Sequence, residues 1–102
     1  MFQRGGPSDG FFISTWSVKD KDKFDDYVAK AEASLIPHGG ERLLWGKMES
    51  VLAGEIDYDE CVVVQFPDMQ SLNAWHESQA YQSIIPIRRD AVNVTVVAYS
   101  TK

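Results

Sequence analysis

The chain is predicted to fold as a single α+β domain in the order β-α-β-β-α-β, with a four-stranded antiparallel sheet carrying two helices on one face. Three observations predict this. Apolar residues recur at helical spacing in two stretches, and four other stretches are rich in β-branched and aromatic residues. At 102 residues the chain is also long enough for one core and too short for two.

Residues 1–10 combine glycines with a proline and read as a loose tail, so the domain is expected over 11–102. Phe11 to Val18 has the composition of a first strand. Phe12, Trp16 and Val18 fall on one face and Phe11 and Ile13 on the other, which points to a strand covered on both sides. After the charged stretch 19–23, Phe24, Tyr27, Val28, Ala31 and Leu35 form one stripe of an amphipathic helix. Asp20 or Asp22 caps it, Asp25 and Asp26 sit near its positive end, and Lys30 and Glu32 face water. Pro37 cannot donate a backbone hydrogen bond, and His38-Gly39-Gly40 supplies the turn that stops the helix.

Glu41 to Lys47, with Leu43, Leu44 and Trp45, reads as the second strand, which Met48 to Leu52 either extends or follows as a short piece of its own. The acidic stretch from Ala53 to Glu60 reads as an exposed hairpin or loop. Cys61 to Phe66 is the most apolar strand and belongs at the sheet centre. Pro67-Asp68 starts the second helix with Asp68 as cap, and Met69, Leu72 and Trp75 point inward. Ser78 caps a further turn in which Tyr81, Ile84 and Ile85 pack until Pro86 interrupts it. In the last strand Val92, Val94, Val96 and Ala98 alternate with Asn93, Thr95, Val97 and Tyr99.

This order is the split βαβ arrangement of ferredoxin-like domains. Helices cover one sheet face, while the strands carry apolar residues on both. A wide bare apolar face is a liability in a monomer, and a second copy packed sheet to sheet is the simplest cover. A homodimer is therefore expected.

Charge and cysteine usage narrow the partners. A net charge of −5 argues against binding a phosphate backbone. The one adjacent basic pair, Arg88-Arg89, is followed by Asp90 and reads as a solvated helix end, so no nucleic-acid partner is expected. Cys61 is the single cysteine, which rules out an intramolecular disulfide and a thiolate cluster; within an apolar strand it reads as inert filler. No stretch approaches the ~20 apolar residues of a membrane span, and the N-terminus lacks an apolar signal core. No membrane partner and a cytoplasmic location are expected.

A set of residues in a fixed order resembles a known family. His38-Gly39-Gly40 matches its glycine pair; Val51-Leu52-Ala53-Gly54 and Val62-Val63-Val64-Gln65-Phe66-Pro67-Asp68 continue it; Trp75, Ser78, Tyr81-Gln82 and Arg88 complete it. Together they resemble the DUF1330 family, domains of unknown function within the dimeric α/β-barrel superfamily, over residues of about 11–100. The resemblance implies a ferredoxin-like protomer and a homodimer whose two sheets form a barrel-like core. It implies no agreed activity, since superfamily relatives include cofactor-free monooxygenases, lactone isomerases, haem-degrading enzymes and ligand-binding regulatory domains. Members commonly carry an arginine directly after the glycine pair and another further along that strand. Here those positions are Glu41 and Trp45, and Arg42, shifted by one, is expected to point to the opposite face. Haem-degrading relatives carry a ligating histidine where this chain has Ile85, and an asparagine on the first strand, of which there is none between Phe11 and Val18. Haem use is not expected.

Catalytic candidates are few. Neither His38 nor His76 has a partner at metal-ligand spacing. His38, near the mouth of a cleft, is the better candidate general base, because an unperturbed imidazole suits proton transfer at neutral pH. Ser14 and Ser17 lack the glycine-flanked elbow of a nucleophile. Asp57, Asp59 and Glu60 lack an EF-hand pattern, and no glycine-rich phosphate loop exists. What remains is aromatic plus arginine: Trp16, Trp45, Trp75, Tyr81 and Arg88. Trp75 and Tyr81 read first as core. Trp45 lines an apolar pocket or plugs the dimer interface. Arg88 anchors a carboxylate by a bidentate pair, or salt-bridges to Asp90 or to an acid of a partner subunit.

The expectation is a homodimeric, cofactor-free, metal-free protein with a small apolar pocket in each protomer that takes a small organic molecule, aromatic or carboxylate-bearing. As an enzyme it would carry out proton transfer, isomerisation or oxidation, with His38 as base, Arg88 as anion anchor, and Trp45, Trp75 and Tyr81 as ligand-binding walls. The alternative is a non-catalytic ligand-binding or assembly module.

Overall fold

Alternate residues of the first strand are buried, and that alternation sets the layers of the molecule. In β1 (Gly10–Val18), Phe12, Ser14 and Trp16 are buried while Phe11, Ile13 and Thr15 are half-buried. The computed structural model describes residues 9–102. Most of the expected tail therefore lies outside the described residues, but its last two residues are ordered parts of the domain. Asp9 is buried and accepts a hydrogen bond from Gln65 Nε2 at 2.8 Å, and Gly10 already belongs to β1.

Asp20, rather than Asp22, caps α1 (Lys21–Leu35), accepting from the Lys23 backbone N–H at 3.1 Å. The helix ends in a 3-10 turn, Ile36–His38, and Gly39 closes it at φ 76°, a left-handed conformation that glycine adopts without penalty. Gly40 is needed for a different reason: a Cβ there would lie 2.9 Å from the Phe66 ring and 3.0 Å from Leu35 Cδ2.

β2 (Glu41–Lys47) stops at Lys47, and residues 48–59 form neither strand nor helix. β3 (Glu60–Phe66) lies inside the sheet between β2 and β1, as its apolar sequence predicts. The Asp68 carboxylate caps α2 (Met69–Glu77) through the Ser71 N–H at 2.7 Å, a bond that holds this carboxyl below its usual range. The Ser78 hydroxyl donates to the Trp75 carbonyl at 2.7 Å and accepts from the Tyr81 N–H, starting the short α3 (Gln79–Gln82).

Pro86 does not end the helical region. It sits in the first turn of a further helix, α4 (Ile85–Ala91), where a missing N–H costs nothing. The Ala91 carbonyl accepts from Lys19 N and Asp20 N at 2.7 and 3.1 Å, tying the end of α4 to the start of α1. β4 (Val92–Ser100) follows at once. No helix among the described residues is long and apolar enough to cross a membrane.

The sheet order is β2-β3-β1-β4, antiparallel throughout, with all the helices on one face. Between the layers, Phe12, Leu35, Val64, Phe66, Leu72, Trp75, Tyr81 and Ile84 form the main core. On the outer face the register aligns Leu44, Val63, Ile13 and Val97 in one apolar row across four strands. The neighbouring row holds Gln65, Phe11 and Tyr99, and Cys61 lies half-buried on this same face beside Thr15. Val97 and Tyr99 are 40% and 52% exposed, so nothing among the described residues covers this face.

Candidate functional site: a tryptophan-walled cavity under the first helix

One irregularity of pairing decides what faces the helices. Arg42 pairs with Val64, Leu44 with Val63 and Trp45 with Val62, so one residue, Leu43, is extra in β2. Val62 and Val64 sit opposite Ser14 and Phe12, on the helix side. The bulge thus brings both Arg42 and Trp45 to that side, although strict alternation would separate them. Arg42 lies on the face opposite Glu41, as its shift by one position predicts, and the bulge after it brings Trp45 to that same face.

Beneath α1 these residues enclose a cavity of about 80 Å³. Its floor is Phe12, Ser14 and Trp16 of β1 with Val62 and Val64 of β3; its roof is Phe24, Tyr27, Ala31 and Leu35 of α1. Trp75 and Tyr81 close one end, and Trp45, 39% exposed, stands at the rim with Glu32 and Arg42. The chain's three tryptophans all line it. Trp45 meets Trp16 edge-on at 5.6 Å and 82°, and Phe24 at 6.2 Å and 88°, the favoured arrangement for aromatic pairs. Trp75 stacks on Phe12 at 4.9 Å and 11°, and its Nε1 donates to Ser34 Oγ at 2.9 Å. Trp16 Nε1 is buried without an acceptor among the described residues.

Polar groups mark two places in this wall. At the rim, Arg42 is paired with Glu32 and its guanidinium lies 5.0 Å from the centre of the Trp45 ring. At the inner end, the Tyr27 and Tyr81 hydroxyls are 2.6 Å apart, and Arg88 Nη1 donates to the Tyr81 hydroxyl at 3.1 Å. Burial, reinforced by Tyr81, pushes the Tyr27 hydroxyl well above its ordinary pKa, with Arg88 opposing.

The expected site residues divide accordingly. Trp45, Trp75 and Tyr81 line the cavity. Arg88 does not; it reaches it through Tyr81, and the Asp90 carboxylate meets Lys23 instead, at 3.4 Å. His38 is half-buried in the turn after α1 and is not part of the lining. Sequence reasoning missed Tyr27, Glu32 and Arg42 as site residues. A phenol on an apolar helical stripe is a usable signal, because a buried hydroxyl requires a partner. The bulge that places Arg42 and Trp45 on one face has no such signal.

The DUF1330 family model, a domain of unknown function, matches residues 9–101. No protein with curated annotation matches the chain in sequence. Among solved structures, a protein of unknown function from Rhodopseudomonas palustris is 12% identical, with a TM-score of 0.80 over 95% of this chain and 85% of that one. A dimeric ferredoxin-like protein of unknown function from Jannaschia sp. CCS1 is 13% identical, with a TM-score of 0.73 over 91% and 99% of the two chains. SnoaB, a cofactor-independent oxygenase from Streptomyces nogalater, is 9% identical, with a TM-score of 0.67 over 93% and 94%. At these identities the likeness establishes the ferredoxin-like fold and nothing finer.

Proposed function

We propose that this chain, which belongs to the DUF1330 family, is a homodimer that binds a small, planar, mostly apolar organic molecule in the cavity under α1 of each protomer. The observation that carries the reading is the wall itself. Three tryptophans and their aromatic neighbours surround open space instead of filling it, and the rim side, at Trp45, is 39% exposed. Close-packed interiors leave few voids larger than a water, so a cavity of about 80 Å³ with flat apolar walls is the shape a ring would occupy. The dimer is supported by the apolar row Leu44–Val63–Ile13–Val97 on the other sheet face and by the dimeric Jannaschia protein of like fold.

Monocyclic aromatics titrated against intrinsic tryptophan fluorescence test this reading, since all three reporters line the cavity. Saturable quenching that Trp45→Ala weakens supports it. No saturable response to any such compound at millimolar concentration refutes it. Light scattering is expected to give twice the 11.5 kDa chain mass, and a monomer at micromolar concentration refutes the dimer.

Turnover separates the two forms of the proposal. The fold shared with the S. nogalater oxygenase supports a cofactor-independent enzyme of proton transfer or oxidation. A ligand recovered unchanged after long incubation in air, with no solvent deuterium incorporated, supports the non-catalytic binding module.

A further inference from the structure

The hydrogen bonds at the inner end of the cavity have a direction. An arginine only donates, so the Tyr81 oxygen accepts from Arg88 Nη1 at 3.1 Å. Tyr81 is 1% exposed, and its own O–H has the Tyr27 oxygen, 2.6 Å away, as its acceptor among the described residues. Reversing that bond would leave the proton of the more buried hydroxyl unpaired, at the greater desolvation cost. Either hydroxyl can donate across this contact, and we assign the donation to Tyr81, the more buried of the two. The Tyr27 proton then has no acceptor among the described residues, and Tyr27, the less buried of the two, lines the cavity. Burial also keeps this phenol protonated at neutral pH, so it serves as a donor.

A second donor in the same wall points the same way. Trp16 is 5% exposed, and its Nε1 is buried with no acceptor among the described residues. The carboxylate at the rim, Glu32, is engaged by Arg42. The cavity thus presents spare donors in a mostly apolar wall, and a buried donor left unpaired discriminates strongly between ligands that do and do not satisfy it.

We propose that the cavity selects a monocyclic aromatic bearing a carbonyl oxygen, and that the Tyr27 O–H donates to that oxygen. One ring is the upper limit: a dry cavity of roughly 150 Å³ takes benzene, and this smaller one holds a ring only by extending to its open side at Trp45. The inference rests on the binding reading above and adds to it a ligand class and a residue that reads it.

Acetophenone and α-methylstyrene test it, because they share a shape and differ by C=O against C=CH2. Binding of each to the wild type and to Tyr27→Phe is followed by tryptophan fluorescence. The substitution is expected to weaken acetophenone about 3- to 10-fold and to leave α-methylstyrene within about twofold. Equal effects on both, or none on acetophenone, overturn the donor role while leaving the apolar cavity standing. Failure of the wild type to bind either overturns the binding reading itself. A measurement on the wild type alone covers a variant that does not fold: the carbonyl stretch of bound acetophenone is expected at its hydrogen-bonded frequency, and a stretch matching that in hexane overturns the proposal.

Discussion

Replacing Trp75 by phenylalanine tests the packing that shapes the cavity. Trp75 is 3% exposed, stacks on Phe12 at 4.9 Å, contacts the Tyr81 ring at 4.3 Å and donates from Nε1 to Ser34 Oγ. The substitution removes that donor, and losing one buried hydrogen bond costs about 1 kcal/mol. It also removes roughly 40 Å³ of side chain, worth about 1 kcal/mol if the space stays open. Part of the stacking on Phe12 adds about 0.5 kcal/mol. The total is about 2–3 kcal/mol, which for a domain of this size lowers the melting temperature by about 8–20 °C. Urea unfolding followed by far-ultraviolet circular dichroism measures it directly. The new space adjoins the existing cavity, so a saturating aromatic ligand is expected to raise the melting temperature more in the variant than in the wild type. A loss below about 0.5 kcal/mol, or no difference in ligand stabilisation, refutes the packing argument.

Other perturbations follow from single contacts. Gly40→Ala pushes a Cβ against the fully buried Phe66 and is expected to cost about 1–3 kcal/mol in a denaturant melt. Arg42→Met breaks the exposed pair with Glu32 and the contact with the Trp45 ring, and is expected to cost only about 0.5–1 kcal/mol in the same melt. The folded-state pKa of Asp68 lies below its ordinary value of 3.8, so its carboxylate contributes stability that is present above that value and lost as pH falls through the folded pKa. Asp68→Asn keeps a good cap without a titrating group; the variant is expected to match the wild type at pH 7 and to lose less stability than it between pH 4 and 2 in thermal melts. Trp45→Ala, on the helix side of the sheet, is expected to leave the light-scattering mass unchanged while weakening ligand binding.

Features with a local period or a local chemistry were legible in the sequence. The stripe Phe24, Tyr27, Val28, Ala31 and Leu35 predicts α1, and all five residues line the cavity from above. The caps at Asp68 and Ser78 are read from residue type and position, and both form. The β-α-β-β-α-β order follows, and with it the ferredoxin-like sheet. Pro86 was ambiguous because the same ring that breaks a helix interior fits a helix's first turn. That Arg42 and Trp45 share a face was hidden because a bulge adds a residue without a fixed sequence signature. The Tyr27–Tyr81 bond joins residues 54 positions apart, and only tertiary packing shows that two hydroxyls on two apolar faces meet. His38 stood out by its chemistry alone, and the turn that holds it lies outside the cavity lining.

The most direct test of the account is the indole region of a proton–nitrogen correlation spectrum during titration with acetophenone. Three Nε1–H signals are expected, one for each tryptophan of the cavity wall. The Trp16 and Trp45 signals are expected to move together along one saturable curve, and Trp16, whose Nε1 has no acceptor among the described residues, is expected to move furthest. Indole signals that stay fixed at saturating ligand, while residues of the outer sheet face such as Ile13 and Val97 shift, would contradict this.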